Sequence, residues 1–196
     1  MPITLPTCPP IREQNMRIVT FASIQNPILG GPETRVQRLG DRWAGEFVTY
    51  VAPYADEGRK YLARLVRGLT DTVVIGVREP GMDLSGYGTP QISSTTTGAT
   101  VVLKGIPLGK VIPEGKFFSI VRNGQRYLYQ VTADTTVAGA TVTVPIFPML
   151  RAAPVADDVV EFTAPKMEGF VSGSEQSWSI AISKRIGFQF SIMERA

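Results

Sequence analysis

Helical periodicity confines itself to a short part of this sequence, and strand-like stretches enclose it. From Gly40 to Val77 the chain reads GDRWAGEFVTYVAPYADEGRKYLARLVRGLTDTVVIGV. Arg42 to Val51 alternates. Trp43, Gly45, Phe47, Thr49 and Val51 point one way, and Arg42, Ala44, Glu46, Val48 and Tyr50 the other. Pro53 breaks that run. Tyr54, Tyr61, Leu62, Leu65 and Val66 then recur at helical spacing, with Arg59, Lys60 and Arg64 on the remaining face. Gly68 suits the position past the helix end, and Arg64 and Arg67 suit its negative pole. Thr72 to Val77 is β-branched and apolar, as a buried strand requires. The rest of the chain must pack around this strand, helix and strand.

The remainder supplies mostly strands. Glycine (19) and proline (15) are numerous, as short strands joined by tight turns demand, and a 43% apolar content is enough for a core. Residues 1–15 hold Pro2, Pro6, Pro9 and Pro10, which exclude a helix and predict an extended arm, either laid along a partner or loose as a terminus. Arg17 to Ser23 and Thr34 to Leu39 read as strands, the second turning through Gly40-Asp41 into the Trp43 strand. Residues 78–97 are turn-rich and polar and read as a linker. Residues 98–163 form a separate strand series. It includes Phe117 to Arg122, turning through Asn123-Gly124 into Gln125 to Thr132, at spacings suited to a small barrel. After Gly169, Trp178, Ile180 and Ile182 alternate with small residues, and Phe188, Phe190 and Ile192 alternate again. The expected fold is mainly β. A β-sandwich-like domain with one short helix, built from 16–77 plus 164–196, is interrupted by an inserted small β-barrel at 98–163.

Composition excludes several chemistries. The chain has no histidine, so neither a Ser-His-Asp nor a Cys-His mechanism is available, nor a site that needs imidazole as a metal ligand. The lone Cys8 has no partner for an internal disulfide and reads as an inert thiol. A net charge of +3 without a basic run gives no case for sequence-specific nucleic-acid binding. No apolar run approaches the roughly 20 residues of a membrane span, and the first residues lack the pattern of a signal peptide. The chain is expected in a reducing cytoplasm, without cofactor or metal.

The order of these parts resembles a known family. A strand pair precedes GDRWAGEFVTYVAPYADEGRKYLARLVRGL. The insertion GATVVLKGIPLGKVIPEGKFFSIVRNGQRYLYQVTADTTVAGATVTVPIFPMLR follows, and the tail ends FQFSIMERA. This is similar to the distal tail proteins of long-tailed bacteriophages and related tail-like particles. The resemblance runs from about Arg17 to Glu194. It implies a structural subunit of the virion tail tip, assembled in the host cytoplasm. Such a subunit forms a homo-oligomeric, hexameric ring that joins the tail tube protein to the tip or baseplate hub proteins. It implies no active site, and no individual functional residue carries over.

Candidate residues are therefore interface residues. Arg42 and Glu46 share a strand face and suit either a pair across a subunit boundary or a solvated surface. Trp43 and Trp178 suit an interface or a core. Pro6, Cys8 and Pro9 lie in the arm. Two other functions compete. A carbohydrate- or receptor-binding module would use the barrel, with Tyr127 and Tyr129 as stacking residues. A tail-hub hydrolase would need converging carboxylates, and Asp134, Asp157 and Asp158 are scattered acids in turn-rich sequence.

Overall fold

The computed structural model describes residues 2–26, 28, 30–36, 38–83, 85–173, 178, 180 and 182–195. The chain begins with strands β1 (Ile3–Thr4), β2 (Ile11–Val19), β3 (Ser23–Gln25), β4 (Thr34–Val36), β5 (Arg42–Thr49) and β6 (Ala52–Pro53). A wide turn over Tyr54–Gly58 leads into α1 (Arg59–Arg67), and β7 (Val73–Gly76) follows. Next come β8 (Gln91–Ser94), β9 (Thr100–Lys104), β10 (Val111–Ile112), β11 (Phe117–Arg122), β12 (Gln125–Val131), β13 (Thr135–Thr136), β14 (Thr141–Phe147) and β15 (Val159–Glu161). The chain finishes with β16 (Lys166–Val171), β17 (Arg185–Ile186) and β18 (Gln189–Glu194). The fold is mainly β, with one α-helix among the described residues and a closed barrel, the class the strand patterns predict.

A six-stranded sheet in the order β1-β7-β16-β18-β5-β2 draws strands from both ends of the chain. The period-two pattern explains which residues meet. Phe47 and Phe190 are cross-strand partners and stack at 5.7 Å between ring centroids. Helix α1 covers this face with Tyr61, whose ring stacks on Phe188 at 4.8 Å, and with buried Leu65. Gly68 ends the helix with φ −63°, so a left-handed turn is not the reason for glycine there. The reason is space. A Cβ on Gly68 would sit 2.4 Å from Val73 Cγ2 and 2.8 Å from Val171 Cγ2.

The barrel closes in the order β11-β12-β14-β9-β8-β15 around Ile92, Val101, Leu103, Phe118, Val144 and Phe162. Asn123 and Gly124 both have positive φ (51° and 77°), the geometry of a two-residue hairpin turn between twisted strands. Leu128 of β12 is buried in the core of the sheet rather than that of the barrel. Phe117 packs edge-on against Trp43 at 5.0 Å. The two cores thus share a wall.

Two segments differ from the sequence reading. Residues 78–97 are not a bare linker, because β8 pairs with β9 and β15, and Tyr87 and Ile92 lie in the barrel core. One buried residue in a four-residue polar strand leaves no periodic trace. The extended arm belongs to the chain's own sheet. Ile3 and Leu5 donate their N–H groups to Thr72 O (2.7 Å) and Val74 O (3.1 Å), and residues 11–15 are the first half of β2. Proline excludes helix yet tolerates an edge strand wherever its missing N–H would face outward. The expected alternation of Trp178, Ile180 and Ile182 falls partly outside the described residues. Within them, Trp178 and Ile182 are exposed, and Ile180 bridges to Ile186.

Candidate functional site

The buried carboxylates among the described residues are all engaged: Asp41 accepts the Phe21 N–H at 2.7 Å beside the β3–β4 hairpin, and most of the others lie at the joint between barrel and sheet. Glu194, at the end of β18, accepts N–H bonds from Trp43 (3.1 Å) and from Leu128 (2.7 Å), and pairs with Arg151. Glu168 accepts from the Thr72 hydroxyl (2.9 Å) and the Arg126 N–H (3.1 Å). Glu161 accepts from the Ser119 hydroxyl (2.8 Å), Lys166 Nζ (2.8 Å) and Arg126 Nε (3.1 Å). Burial alone would raise the Glu161 carboxyl, but the bonds from Lys166, Ser119 and Arg126 hold it below the usual carboxylate range. Glu79 accepts from the Phe117 N–H (2.6 Å) and pairs with Lys116 at 3.3 Å inside the barrel wall. Burial pulls Lys116 down, and Glu79 works against that. Saturated carboxylates of this kind position elements. They do not offer the free, converging pair that acid-base catalysis needs.

Cys8 is equally unsuited to attack. Its thiol donates to Glu57 Oε2 at 2.7 Å. That bond, with burial and the Glu57 charge, pushes the thiol up, opposite to an activated nucleophile. Among the described residues no cluster of Cys, Asp and Glu is arranged to hold a metal ion. No helix among them is long and apolar enough to cross a membrane. A shallow cleft of about 330 Å³ opens where the Asn123-Gly124 turn meets Thr72, Glu168 and Phe170.

The predicted interface residues separate. Trp43 is buried against Phe117, so its side chain joins sheet to barrel within one chain and is no exposed anchor. Trp178 is exposed. Arg42 lies over the Phe21 ring at 4.9 Å, at the base of the β3–β4 hairpin. Glu46 faces Arg17 of the neighbouring strand at 3.4 Å, a pair internal to the chain. Pro9 is buried, and Pro6 and Cys8 are half-buried, all in the arm that the sheet has absorbed. Asp157 and Asp158 pair with Lys104 and Arg122, and Asp134 accepts the Glu114 N–H at 2.7 Å, so these acids serve turns.

Sequence reasoning missed an exposed apolar surface. The β3–β4 hairpin carries exposed Phe21, Ile24, Val36 and Leu39, with Ile28 fully exposed near its tip. A second exposed group, Tyr50, Val51, Trp178 and Ile182, lies beside the short β6–β17 pair. The sequence pattern turns Thr34–Leu39 through Gly40-Asp41 into the Trp43 strand, but β4 pairs back with β3 while β5 pairs with β2 and β18, so the bare hairpin had no sequence sign.

The chain matches no family model and no curated protein.

Among its described residues the barrel presents no exposed aromatic platform. Tyr129 is buried, and burial pushes its phenol up to about 12. Tyr127 packs against the barrel core beneath the Arg151 guanidinium, 5.3 Å from its ring centroid.

Proposed function

We propose that this chain is a structural, non-enzymatic subunit of a bacteriophage tail tip. It assembles into a closed ring between the tail tube and the hub. The observation that carries this reading is the bare β3–β4 hairpin. A two-stranded hairpin is marginal by itself in water, and exposed apolar side chains on both of its strands call for a partner surface. A closed ring needs two different, complementary patches on each subunit, and a protruding hairpin received by a neighbour is one such arrangement. The saturated carboxylates and the protonated Cys8 thiol support a scaffold rather than a hydrolase. The joint of Glu194, Glu168 and Glu161 supports a barrel held firmly on the sheet. The sugar-binding alternative loses ground because Tyr127 and Tyr129 are packed inward. The test is the mass of the purified full chain, with an electron-microscope image of the same sample. A ring of several copies is expected. A monomer, alone and beside tail-tube and hub partners, overturns the reading.

A further inference from the structure

The two ends of the six-stranded sheet are built differently. At the β1 end the N–H groups of Ile3 and Leu5 turn inward to β7. The outward positions are then Pro2, Thr4 and Pro6. Two of these have no N–H, and the Thr4 carbonyl is taken by Arg64 Nη1 at 2.7 Å. That edge is blocked against strand addition. At the other end, β2 is nine residues long and contains no proline. No strand lies beyond it. Arg78 Nη1 takes the carbonyl of its first residue, Ile11, at 2.5 Å, and among the described residues no hydrogen bond other than those to β5 reaches the main chain of residues 12–19. Its inward-facing Ile11, Met16 and Ile18 are only half-buried at the rim of the core.

We infer that β2 pairs antiparallel with β2 of a second copy of this chain, across a two-fold axis at Asn15. Charge complementarity selects the partner. The register that overlaps all of Ile11–Val19 sets residue 15 opposite itself, and therefore Glu13 opposite Arg17 of the other copy, twice. Glu13, Asn15 and Arg17 lie on one face of the sheet and are exposed. A strand guarded against its own kind carries charges of one sign. A strand with opposite charges equidistant from its centre attracts its own antiparallel copy. The present partners of these residues, Arg12 with Glu13 at 2.9 Å and Arg17 with Glu46 at 3.4 Å, are exposed pairs that hold little in place. The bulge at Arg12 lies at one end of the strand and leaves residues 13–19 in regular register.

The contact is isologous and closes on itself, so it cannot generate a ring. In a ring-forming chain it joins two rings face to face. In a chain that forms no ring it yields dimers. The copy number is even in both cases, and the inference stands apart from the ring reading.

The test uses the full chain with Cys8→Ser. Asn15→Cys places two thiols directly opposite each other, within the span of a disulfide, and mild oxidation is expected to give a covalent dimer. Arg12→Cys lies about 20 Å from its own copy in this register and is expected not to cross-link. In the chain without added cysteines, Glu13→Arg and Arg17→Glu each set like charges opposite, and each is expected to halve the mass measured by sedimentation. An equimolar mixture of the two restores opposite charges and is expected to restore the mass. Circular dichroism confirms that each variant is folded. An odd copy number in the parent, equal cross-linking at positions 12 and 15, or unchanged mass in both charge variants overturns the inference.

Discussion

Arg151, in the loop after β14, forms a buried ion pair with Glu194, the last residue of β18, and so ties the barrel to the sheet. The same carboxylate takes N–H groups from Trp43 of the sheet and Leu128 of the barrel. Arg151→Ala would leave Glu194 buried without its cation, which costs about 3–5 kcal/mol. Burial pushes Glu194 up, against the pull of Arg151 and the N–H donors. A raised folded value means that the folded state holds the proton more tightly than the unfolded chain, so its contribution favours low pH and is lost as pH rises. Without Arg151 the upward push is stronger. The penalty of Arg151→Ala is therefore expected to shrink on acidification, when Glu194 becomes neutral. Urea denaturation of both proteins, near neutrality and at acid pH, measures this. A pH-independent penalty would contradict a charge buried at the joint.

Glu161 shows the opposite behaviour. Its carboxyl lies below the ordinary value of 4.5, so the folded state favours the ionised form. The stability it contributes is fully present above that ordinary value and is lost as pH falls through the folded one. Glu161→Gln removes the ionisable group. The variant is expected to be less stable near neutrality, with the difference from the parent narrowing below about pH 4. Parallel denaturation curves across that range check it.

Residues that act through neighbours in sequence were legible, and residues that act across the fold were not. Asn123-Gly124 announced its hairpin because a two-residue turn with positive φ restricts residue choice locally. Phe47 and Tyr61 announced buried faces because strand and helix periods are local as well. Glu194 and Leu128 are 66 residues apart, and no spacing rule links a terminal glutamate to a barrel strand. The arm was misjudged for a related reason. Pro2 and Pro6 declare only what they exclude, and β7 as their host strand becomes visible only once the sheet order is known. The candidate interface residues were read from their residue types, and of the interface and core readings open for Trp43, its side chain takes the buried one, at the joint between sheet and barrel.

The helix tests how far packing on one face reaches. Leu65 is 3% exposed and Leu62 is only half-buried. Leu65→Ala is expected to cost roughly 2–5 kcal/mol, and Leu62→Ala less. Gly68→Ala would drive a methyl into Val73 and Val171, and is expected to cost about 1–3 kcal/mol although alanine favours helix. Arg59→Ala, whose exposed side chain pairs with Asp56 one turn back, is expected to stay within about 0.5 kcal/mol. Chemical denaturation ranks the four. A neutral Gly68→Ala would show that the helix end does not sit against β7 and β16 as described.

The β3–β4 hairpin is where stability and assembly part company. Ile24 and Leu39 are well exposed in the single chain, so Ile24→Ser and Leu39→Ser remove little that the folded monomer has buried. Each is expected to change unfolding free energy by no more than about 0.5 kcal/mol. If the hairpin enters a neighbour, the same side chains become buried in the ring, and their loss weakens every contact around it. The double variant is then expected to stay folded by circular dichroism while the ring species disappears from light scattering. Deleting residues 2–6 is expected to do the reverse. It strips β1 from β7, removes buried Ile3 and Leu5, and destabilises the subunit before assembly is reached. Rings of normal size from the hairpin variant would exclude this hairpin as the contact. A fully stable arm deletion that lost only assembly would restore the arm as the element that reaches a neighbour.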